Sequence, residues 1–100
     1  MRRAKKGRSL VYLIRADNNL YKIGQSVYPE ERFRKLQLVN ACTIELLWTK
    51  EVEEGTALEA ALHRFFDEKR HHGEWFALSE SNVSLILNLN DEIIEMLLIV

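Results

Sequence analysis

The chain contains 100 residues, of which 47% are hydrophobic and 29% are charged. This length predicts one small domain with a single core, and the absence of a run of about 18 apolar residues predicts that no helix spans a membrane. The one cysteine, Cys42, excludes an internal disulfide bond, and no secretory signal is visible. We therefore expect a cytoplasmic protein, located in the host cytoplasm if the chain is viral.

The net charge of −1 conceals an uneven distribution of charge along the chain. Residues 1–35 contain ten Lys and Arg against three Asp and Glu, whereas residues 36–100 contain four against twelve, so balances of +7 and −8 sum to −1. A positive first third suits a phosphate-binding surface, although a solvated basic tail explains part of it equally well. We predict that residues 1–8 are a disordered basic tail and that residues 9–100 form one domain.

Two short strands and a helix are predicted to open the domain. Residues 10–15 are apolar and β-branched, which is typical of a buried strand, and residues 20–24 form the return strand. The Asp17-Asn18-Asn19 segment between them favours a hairpin turn, because Asn and Asp tolerate left-handed backbone. Pro29, followed by two glutamates, predicts the start of a helix that ends near Leu38.

The rest of the chain is predicted to add one strand and two helices. Residues 43–49 are typical of a third strand, and apolar residues at helical spacing predict a second helix over about residues 56–69. Residues 74–78 form a short apolar segment that could be extended, and Ser79 or Ser81 caps a single last helix. The predicted fold class is α+β, with a small three-stranded antiparallel sheet flanked by helices in the order β-β-α-β-α-(β)-α.

Three side chains with phosphate-binding chemistry are predicted to meet on this sheet. The hairpin and the following helix bring Tyr12, Lys22 and Arg32 together, and a phenol, an amine and a guanidinium on one sheet face suit a phosphodiester better than a core. Each residue also has an ordinary structural explanation. Tyr12 and Lys22 could be surface-facing strand residues, and Arg32 could form a surface ion pair with Glu31 or Asp67, which contributes little to stability.

The order of four motifs in the chain resembles that of the GIY-YIG endonuclease superfamily. Leu10-Val11-Tyr12 stands where the family has Gly-Ile-Tyr, and Lys22-Ile23-Gly24 stands where it has Tyr-Ile-Gly. Arg32 stands where the family keeps an arginine, and Glu59 stands where it keeps a metal-binding glutamate. The pattern KIG…P-x-x-R…LE-x-x-LH-x-x-F…GEWF most resembles the branch named after open reading frame 172 of phage T5, also described as meiotically up-regulated gene 113-like.

The resemblance implies a GIY-YIG nuclease-like fold and a metal-dependent endonuclease from a phage or mobile element, which hydrolyses DNA phosphodiester bonds. In that assignment Glu59 holds one Mg²⁺ or Mn²⁺, which neutralises charge on the phosphate. Tyr12 acts as the general base, while Lys22 and Arg32 lower its pKa and stabilise the transition state. Lys22 replaces the motif's tyrosine, and the adjacent Tyr21 cannot substitute for it, because neighbouring strand residues face opposite ways.

Further residues are assigned around this centre. His63 follows Glu59 by one helical turn and is a candidate either for the catalytic centre or for a local structural contact. The candidates for salt-sensitive contacts with the DNA backbone are Gln25, Ser26, Arg34 and Lys35. In the GEWF motif, Trp75 and Phe76 are predicted to act through packing. A zinc site made by the three histidines is disfavoured, because their spacing matches no common zinc pattern.

DNA is the expected partner, and the apolar segment 93–100 is the expected interface for a homodimer or for another protein. The main alternative function is a catalytically inactive nucleic-acid-binding or protein-interaction module on the same fold, which would be favoured if Glu59 lay far from Tyr12. A third hypothesis, a structural phage protein, requires Tyr12, Lys22 and Arg32 to point to different faces of the sheet.

Overall fold

The structure, a computed structural model, describes Ala4 and residues 7–99. Five strands and four α-helices follow one another along this part of the chain. The strands are β1 (Ser9–Ala16), β2 (Tyr21–Ser26), β3 (Ile44–Val52), β4 (Arg70–His72) and β5 (Trp75–Phe76). The helices are α1 (Pro29–Val39), α2 (Gly55–Phe65), α3 (Glu80–Leu87) and α4 (Asp91–Ile99), with a 3₁₀-helix at Asp67–Lys69 after α2.

The β1–β2 hairpin lies at the centre of an antiparallel sheet whose strand order is β3-β1-β2-β5-β4. Its turn places Asn19 in left-handed backbone at φ 66°, in agreement with the prediction from the Asp/Asn segment. The register sets Tyr12 opposite Gly24 and Ile14 opposite Lys22. Because paired residues share a face and side chains alternate along a strand, Tyr12, Ile14 and Lys22 point to the same side of the sheet.

Helices cover both faces of the sheet and enclose two apolar clusters. On one side, called the α1 face, α1 covers a cluster that includes Tyr12, Ile14, Phe33, Leu36 and Ile44. On the other side, called the α2 face, α2, α3 and α4 cover a larger cluster that includes Val11, Leu13, Ile23, Leu58, Leu62, Phe76, Ile86 and Ile94. Both faces of β1 are therefore buried, which explains why this strand is apolar at nearly every position.

The prediction of a three-stranded sheet is wrong, because β4 and β5 form a second hairpin at the edge of β2. β5 lies inside the segment 74–78, whose optional extended structure is confirmed. β4 contains exposed Arg and His side chains, so it lacks the apolar alternation from which strands are predicted. Gly73 and Glu74 connect them, with Gly73 in left-handed backbone at φ 55°. A glycine in a two-residue connection is a hairpin signal, and Phe76, which is 0% exposed, anchors the hairpin in the core.

The prediction of a single last helix is also wrong, since residues 88–90 separate α3 from α4. The side-chain oxygen of Asn90 accepts a hydrogen bond from the amide of Ile93 at 2.9 Å. It thus caps a new helix although the apolar pattern continues across the break. At the start of α3 the predicted cap Ser79 is confirmed, because its hydroxyl accepts from the amide of Asn82 at 3.2 Å. The second helix ends at Phe65, before the predicted residue 69.

The predicted basic tail lies mostly outside the described residues, which do not include Arg2, Arg3, Lys5 and Lys6. Within the tail, the amide of the buried Ala4 donates to the carbonyl of Val27 at 3.0 Å, and Arg8 pairs with Glu51 at 3.1 Å. Disorder of the remaining tail stays a prediction. In the described part of the chain, no helix has the length and apolar character needed to cross a membrane.

Phe76→Ala should lower the free energy of unfolding by about 3 to 5 kcal/mol, because it removes the buried ring that anchors β5. Phe65→Ala is the matched control: Phe65 is 56% exposed, so the same truncation should cost less than about 1 kcal/mol. Urea unfolding followed by circular dichroism measures both changes. Equal losses of stability in the two variants would contradict the placement of β5 against the core.

Candidate functional site

The hydroxyl of Tyr12 is held against the backbone of Gly24, its partner across the β1–β2 hairpin. Tyr12 is 2% exposed, and a methyl group added at Gly24 would lie 2.4 Å from the hydroxyl oxygen. That distance is well below van der Waals contact. Glycine at position 24 therefore leaves the space that the tyrosine ring occupies, and the first and second motifs of the sequence meet in this contact.

Arg32 lies on α1, which packs over the same sheet face, and it hydrogen bonds to the Tyr12 hydroxyl. Burial nonetheless raises the pKa of Tyr12 above its ordinary value of 10.0, and this effect outweighs the lowering of the pKa by Arg32. The charges of Glu74 and Glu59 raise the pKa of Tyr12 further. Of the two cations predicted to lower the pKa of Tyr12, Arg32 does so, but burial has the larger effect and the net pKa is raised.

Lys22 is buried on the α1 face, with 8% of its side chain exposed. Its ammonium nitrogen lies 2.6 Å from a carboxylate oxygen of Glu74 and 5.8 Å from the centre of the Trp75 ring. A buried ammonium needs a partner of opposite charge, because the lost hydration otherwise destabilises the folded state. The turn of the β4–β5 hairpin provides that partner, so a turn that the sequence does not predict is the one that holds the lysine.

Two carboxylates meet beside this lysine, because Glu74 lies near enough to Glu59 of α2 for its charge to act on the Glu59 carboxyl group. Burial, and then the charge of Glu74, raise the pKa of Glu59 above its ordinary value of 4.5, while His63 and Lys22 act in the opposite direction. Glu59 is also near enough to Tyr12 to affect the pKa of the phenol. Side chains from both faces of the sheet thus converge at the edge of β2.

His63 bonds to the backbone of β2. Its Nε2 lies 2.8 Å from the carbonyl oxygen of Ile23 and 3.9 Å from a carboxylate oxygen of Glu59. Since a carbonyl oxygen only accepts, Nε2 carries the proton and donates it to Ile23. The amide of Ile23 donates to the carbonyl of Glu74 at 3.3 Å, and His63 replaces the amide that a longer β5 would supply. His63 therefore fixes α2, and with it Glu59, to the edge of β2.

The side chains of Tyr12, Lys22, Arg32, Glu59 and Glu74 form one cluster, and part of the predicted set of DNA contacts lies beside it. Ser26 points to the same sheet face as Tyr12. It borders one surface cleft together with Arg32 and Lys35, which are both exposed on α1. Lys35 also pairs with Glu31, one turn earlier, at 3.3 Å. A phosphate in this cleft would meet a hydroxyl and two cations next to the buried phenol.

The other two predicted DNA contacts lie elsewhere. Gln25 is opposite Val11 and therefore points to the α2 face, where its side chain lies beside Gly55 at the start of α2. Arg34 is exposed on α1, but it follows Arg32 by two residues and so projects about 200° around the helix. Neither residue shares the cleft of Ser26 and Lys35.

A divalent metal ion fits the chemistry of the two carboxylates. In the described chain, no three side chains of His, Cys, Asp or Glu are grouped so that they could hold a metal by themselves. Mg²⁺, however, is commonly bound by one or two carboxylates and several waters, and Mn²⁺ prefers the same ligands. Glu59 and Glu74 lie side by side, and the repulsion between them helps to raise the pKa of Glu59. A divalent cation would remove that repulsion.

Glu74 is the site residue that sequence reasoning misses. The packing interpretation of the GEWF motif accounts for Phe76, which lies in the core, and for Trp75, which packs on the α1 face. It gives no role to the carboxylate between Gly73 and Trp75. A signal for it exists in the glycine-led turn, because a hairpin there sets Trp75 opposite Lys22 and brings the preceding glutamate to the same edge.

A family model described as the T5orf172 domain matches residues 9–91. The matched region contains the whole sheet and every residue of the cluster, and the chain belongs to the T5orf172 domain family. This membership points to a nuclease-like or DNA-binding module. No curated protein and no solved structure matched the chain.

Glu59→Gln should make the metal-free protein more stable at pH 7. The raised pKa of Glu59 means that folding favours its protonated form, so its stabilising contribution is complete below the unfolded pKa and is lost as pH rises through the folded pKa. A neutral glutamine avoids this loss, and the advantage should disappear below about pH 4.5. Urea unfolding at pH 4 and pH 7 in a chelator measures it, with the exposed Glu68→Gln as control. A wild-type protein more stable than Glu59→Gln at pH 7 would overturn this account.

Proposed function

We propose that the chain is a GIY-YIG-type, metal-dependent endonuclease that hydrolyses phosphodiester bonds of DNA. The observation that carries this proposal is the convergence of Tyr12, Lys22 and Arg32 on one sheet face with Glu59 at the neighbouring strand edge. A structural protein has no need for a buried lysine, a buried phenol and two adjoining carboxylates at one place. Membership of the T5orf172 domain family supports the same class of activity.

In the proposed reaction Tyr12 takes a proton from the attacking water, whose oxygen bonds to phosphorus while the bond to the 3′ oxygen breaks and that oxygen takes up a proton from solvent water. The base is the phenolate, and burial makes the phenolate scarce at neutral pH because it raises the pKa of Tyr12. Arg32 opposes the effect of burial on this pKa, because its hydrogen bond and its charge favour the ionised phenol. Arg32 thus has two functions, one toward the base and one toward the phosphate.

Lys22 and Arg32 are proposed to stabilise the negative charge that develops on the phosphate oxygens. Cations held in fixed positions near a buried site stabilise developing charge more strongly than solvated cations, because they need no reorganisation when the charge develops. Lys22 is fixed by burial and by Glu74, while Arg32 is exposed at its cleft and accessible to the backbone of DNA. Ser26 and Lys35 extend this surface, and binding through it should weaken with salt.

Glu59 is the proposed ligand for Mg²⁺ or Mn²⁺, and the ion, when bound, would neutralise charge on the scissile phosphate. The contribution of the chain itself is the position of this carboxylate. Glu59 stands on α2, His63 holds α2 against β2 at 2.8 Å from Ile23, and Glu74 lies beside the carboxylate. His63 is accordingly proposed as a positioning residue, and its Nε2 is already engaged by the backbone.

A partner that binds through the apolar end of the chain remains part of the proposal. Met96 and Ile99 of α4 are exposed, so the described part of this segment leaves apolar surface uncovered, and its last residue, 100, lies outside the described residues. Such a partner, or the form of the DNA, is the proposed source of any sequence preference. A solution measurement of mass would identify a homodimer.

A second candidate function, a DNA-binding module without cleavage, is favoured by one specific observation. The pKa of Tyr12 is raised, whereas a general base would benefit from a lowered one. In this alternative Arg32, Lys35 and Ser26 bind the DNA backbone, and Tyr12 is a core residue whose hydroxyl is satisfied by Arg32. The hypothesis of a structural phage protein requires the three side chains to point to different faces of the sheet. Tyr12 and Lys22 instead share one face, and α1, which carries Arg32, covers that face.

Nicking of supercoiled plasmid in Mn²⁺ or Mg²⁺ tests the nuclease. We expect the wild type to nick, a chelator to abolish nicking, and Glu59→Ala to lower the rate by roughly 100-fold or more. Glu68→Ala, an exposed glutamate away from the cluster, should leave the rate unchanged. Absence of nicking by wild type, with salt-sensitive DNA binding retained, would exclude the nuclease and favour the binding module.

The same assay checks the placement of the two arginines on α1. Arg32→Ala should lose roughly 100-fold in rate, because it removes a cation from both the phenol and the phosphate. Arg34→Ala changes the same residue type two positions away, on another side of the helix. It should nick at close to the wild-type rate. Equal losses from the two changes would mean that α1 acts only through its overall charge.

A further inference from the structure

We propose that Glu74 is a positioning residue for Lys22, and that its charge holds the lysine ready for cleavage at the expense of DNA affinity. This inference rests on the proposed function. Removal of the charge should therefore strengthen DNA binding and slow cleavage at the same time. Opposite changes in the two properties are what distinguish this role from a purely structural one.

The geometry of the pair makes Glu74 the outer partner. The side chain of Lys22 is 8% exposed and that of Glu74 is 42% exposed, with 2.6 Å between nitrogen and oxygen. The carboxylate is thus the partner that solvent reaches, while the ammonium lies behind it. A phosphate that reaches Lys22 has to share the ammonium with Glu74 or replace it there.

The backbone fixes the carboxylate in this place. Glu74 follows Gly73 in the two-residue turn between β4 and β5, and its carbonyl accepts from the amide of Ile23 at 3.3 Å. Ile23 is the immediate neighbour of Lys22 in β2. Glu74 therefore lies in the turn directly before Trp75, the residue paired with Lys22. This position and the ion pair restrict the four rotatable bonds of the lysine to a narrow range of positions.

The charge of Glu74 acts on the other members of the cluster as well. It raises the pKa of both Tyr12 and Glu59, so its negative field extends from the phenol to the edge of α2. The same field opposes the approach of DNA, which is itself an array of negative charges. Glu74 thus has an unfavourable effect on binding, and its favourable effect lies in the position of Lys22.

Glu74→Gln tests the proposal, since glutamine has the same shape and no charge. Affinity for a fluorescent duplex of about 20 base pairs is measured by anisotropy in a chelator at several salt concentrations, and nicking is measured under single-turnover conditions at saturating DNA. We expect affinity at low salt to rise by about threefold to tenfold, with a salt slope steeper by about one phosphate contact. The nicking rate should fall by about tenfold or more. Glu68→Gln should change neither by as much.

Two further variants keep the test decisive if Glu74→Gln folds poorly. Glu74→Asp retains the charge on a shorter side chain, so it should bind DNA like the wild type and nick more slowly. In a Lys22→Met background, the change to glutamine at position 74 should cause no further loss of nicking, because the residue to be positioned is gone. An undiminished nicking rate in Glu74→Asp, or a further loss in the Lys22→Met background, would overturn the proposal.

The outcome separates this inference from the function on which it rests. If the wild type does not nick, the nuclease fails, and the affinity and salt slope of Glu74→Gln still test whether the carboxylate masks Lys22. If the wild type nicks and Glu74→Gln nicks equally well, the positioning role of Glu74 fails alone. A parallel decrease of affinity and nicking in folded Glu74→Gln would assign the residue to the structure of the hairpin and contradict the proposal.

Discussion

The contact between Tyr12 and Gly24 is the constraint on which the rest of the site depends. It fixes the register of the β1–β2 hairpin from within, because a side chain at position 24 would collide with the tyrosine ring. A slip of one residue would turn either Tyr12 or Lys22 to the α2 face, depending on which strand slips, and would disrupt the apolar clusters. The register that buries the core is therefore the same register that places the phenol and the ammonium on one face of the sheet.

The edge of β2 joins the two faces of the sheet. β5 is two residues long, so the strand beside β2 ends where Ile23 still offers a carbonyl, and His63 reaches from α2 to occupy it. This bond brings Glu59 to the same edge as Lys22, although α2 and α1 cover opposite faces. In the resulting cluster, burial raises the pKa of Tyr12 and of Glu59, while the nearby cations lower both pKa values. Titratable groups whose pKa is shifted by burial and by specific neighbouring charges are more typical of functional sites than of cores.

The sequence predicts the parts of the site that depend on local pattern. The alternation and turn chemistry of residues 10–24 place Tyr12 and Lys22 on one face, and Pro29 starts the helix that carries Arg32. β4 escapes prediction because its side chains are polar, and without β4 the hairpin turn that carries Glu74 is not predicted. The role of His63 depends on where a neighbouring strand ends, which local pattern does not show. The opposite directions of Gln25 and Ser26 are missed because the predicted strand stops at residue 24, whereas β2 continues to Ser26.

The most direct test of the central claim compares two tyrosines of the same hairpin. Tyr12 points to the α1 face beside Lys22, whereas Tyr21 packs against the core of the α2 face. We expect Tyr12→Phe to lose roughly 100-fold or more in single-turnover cleavage, and Tyr21→Phe to retain it. The wild-type rate should also rise about tenfold per pH unit between pH 7 and 9, because the raised pKa of Tyr12 keeps the phenolate scarce throughout this range. Cleavage that survives Tyr12→Phe with the same pH dependence would show that this phenol is not the base.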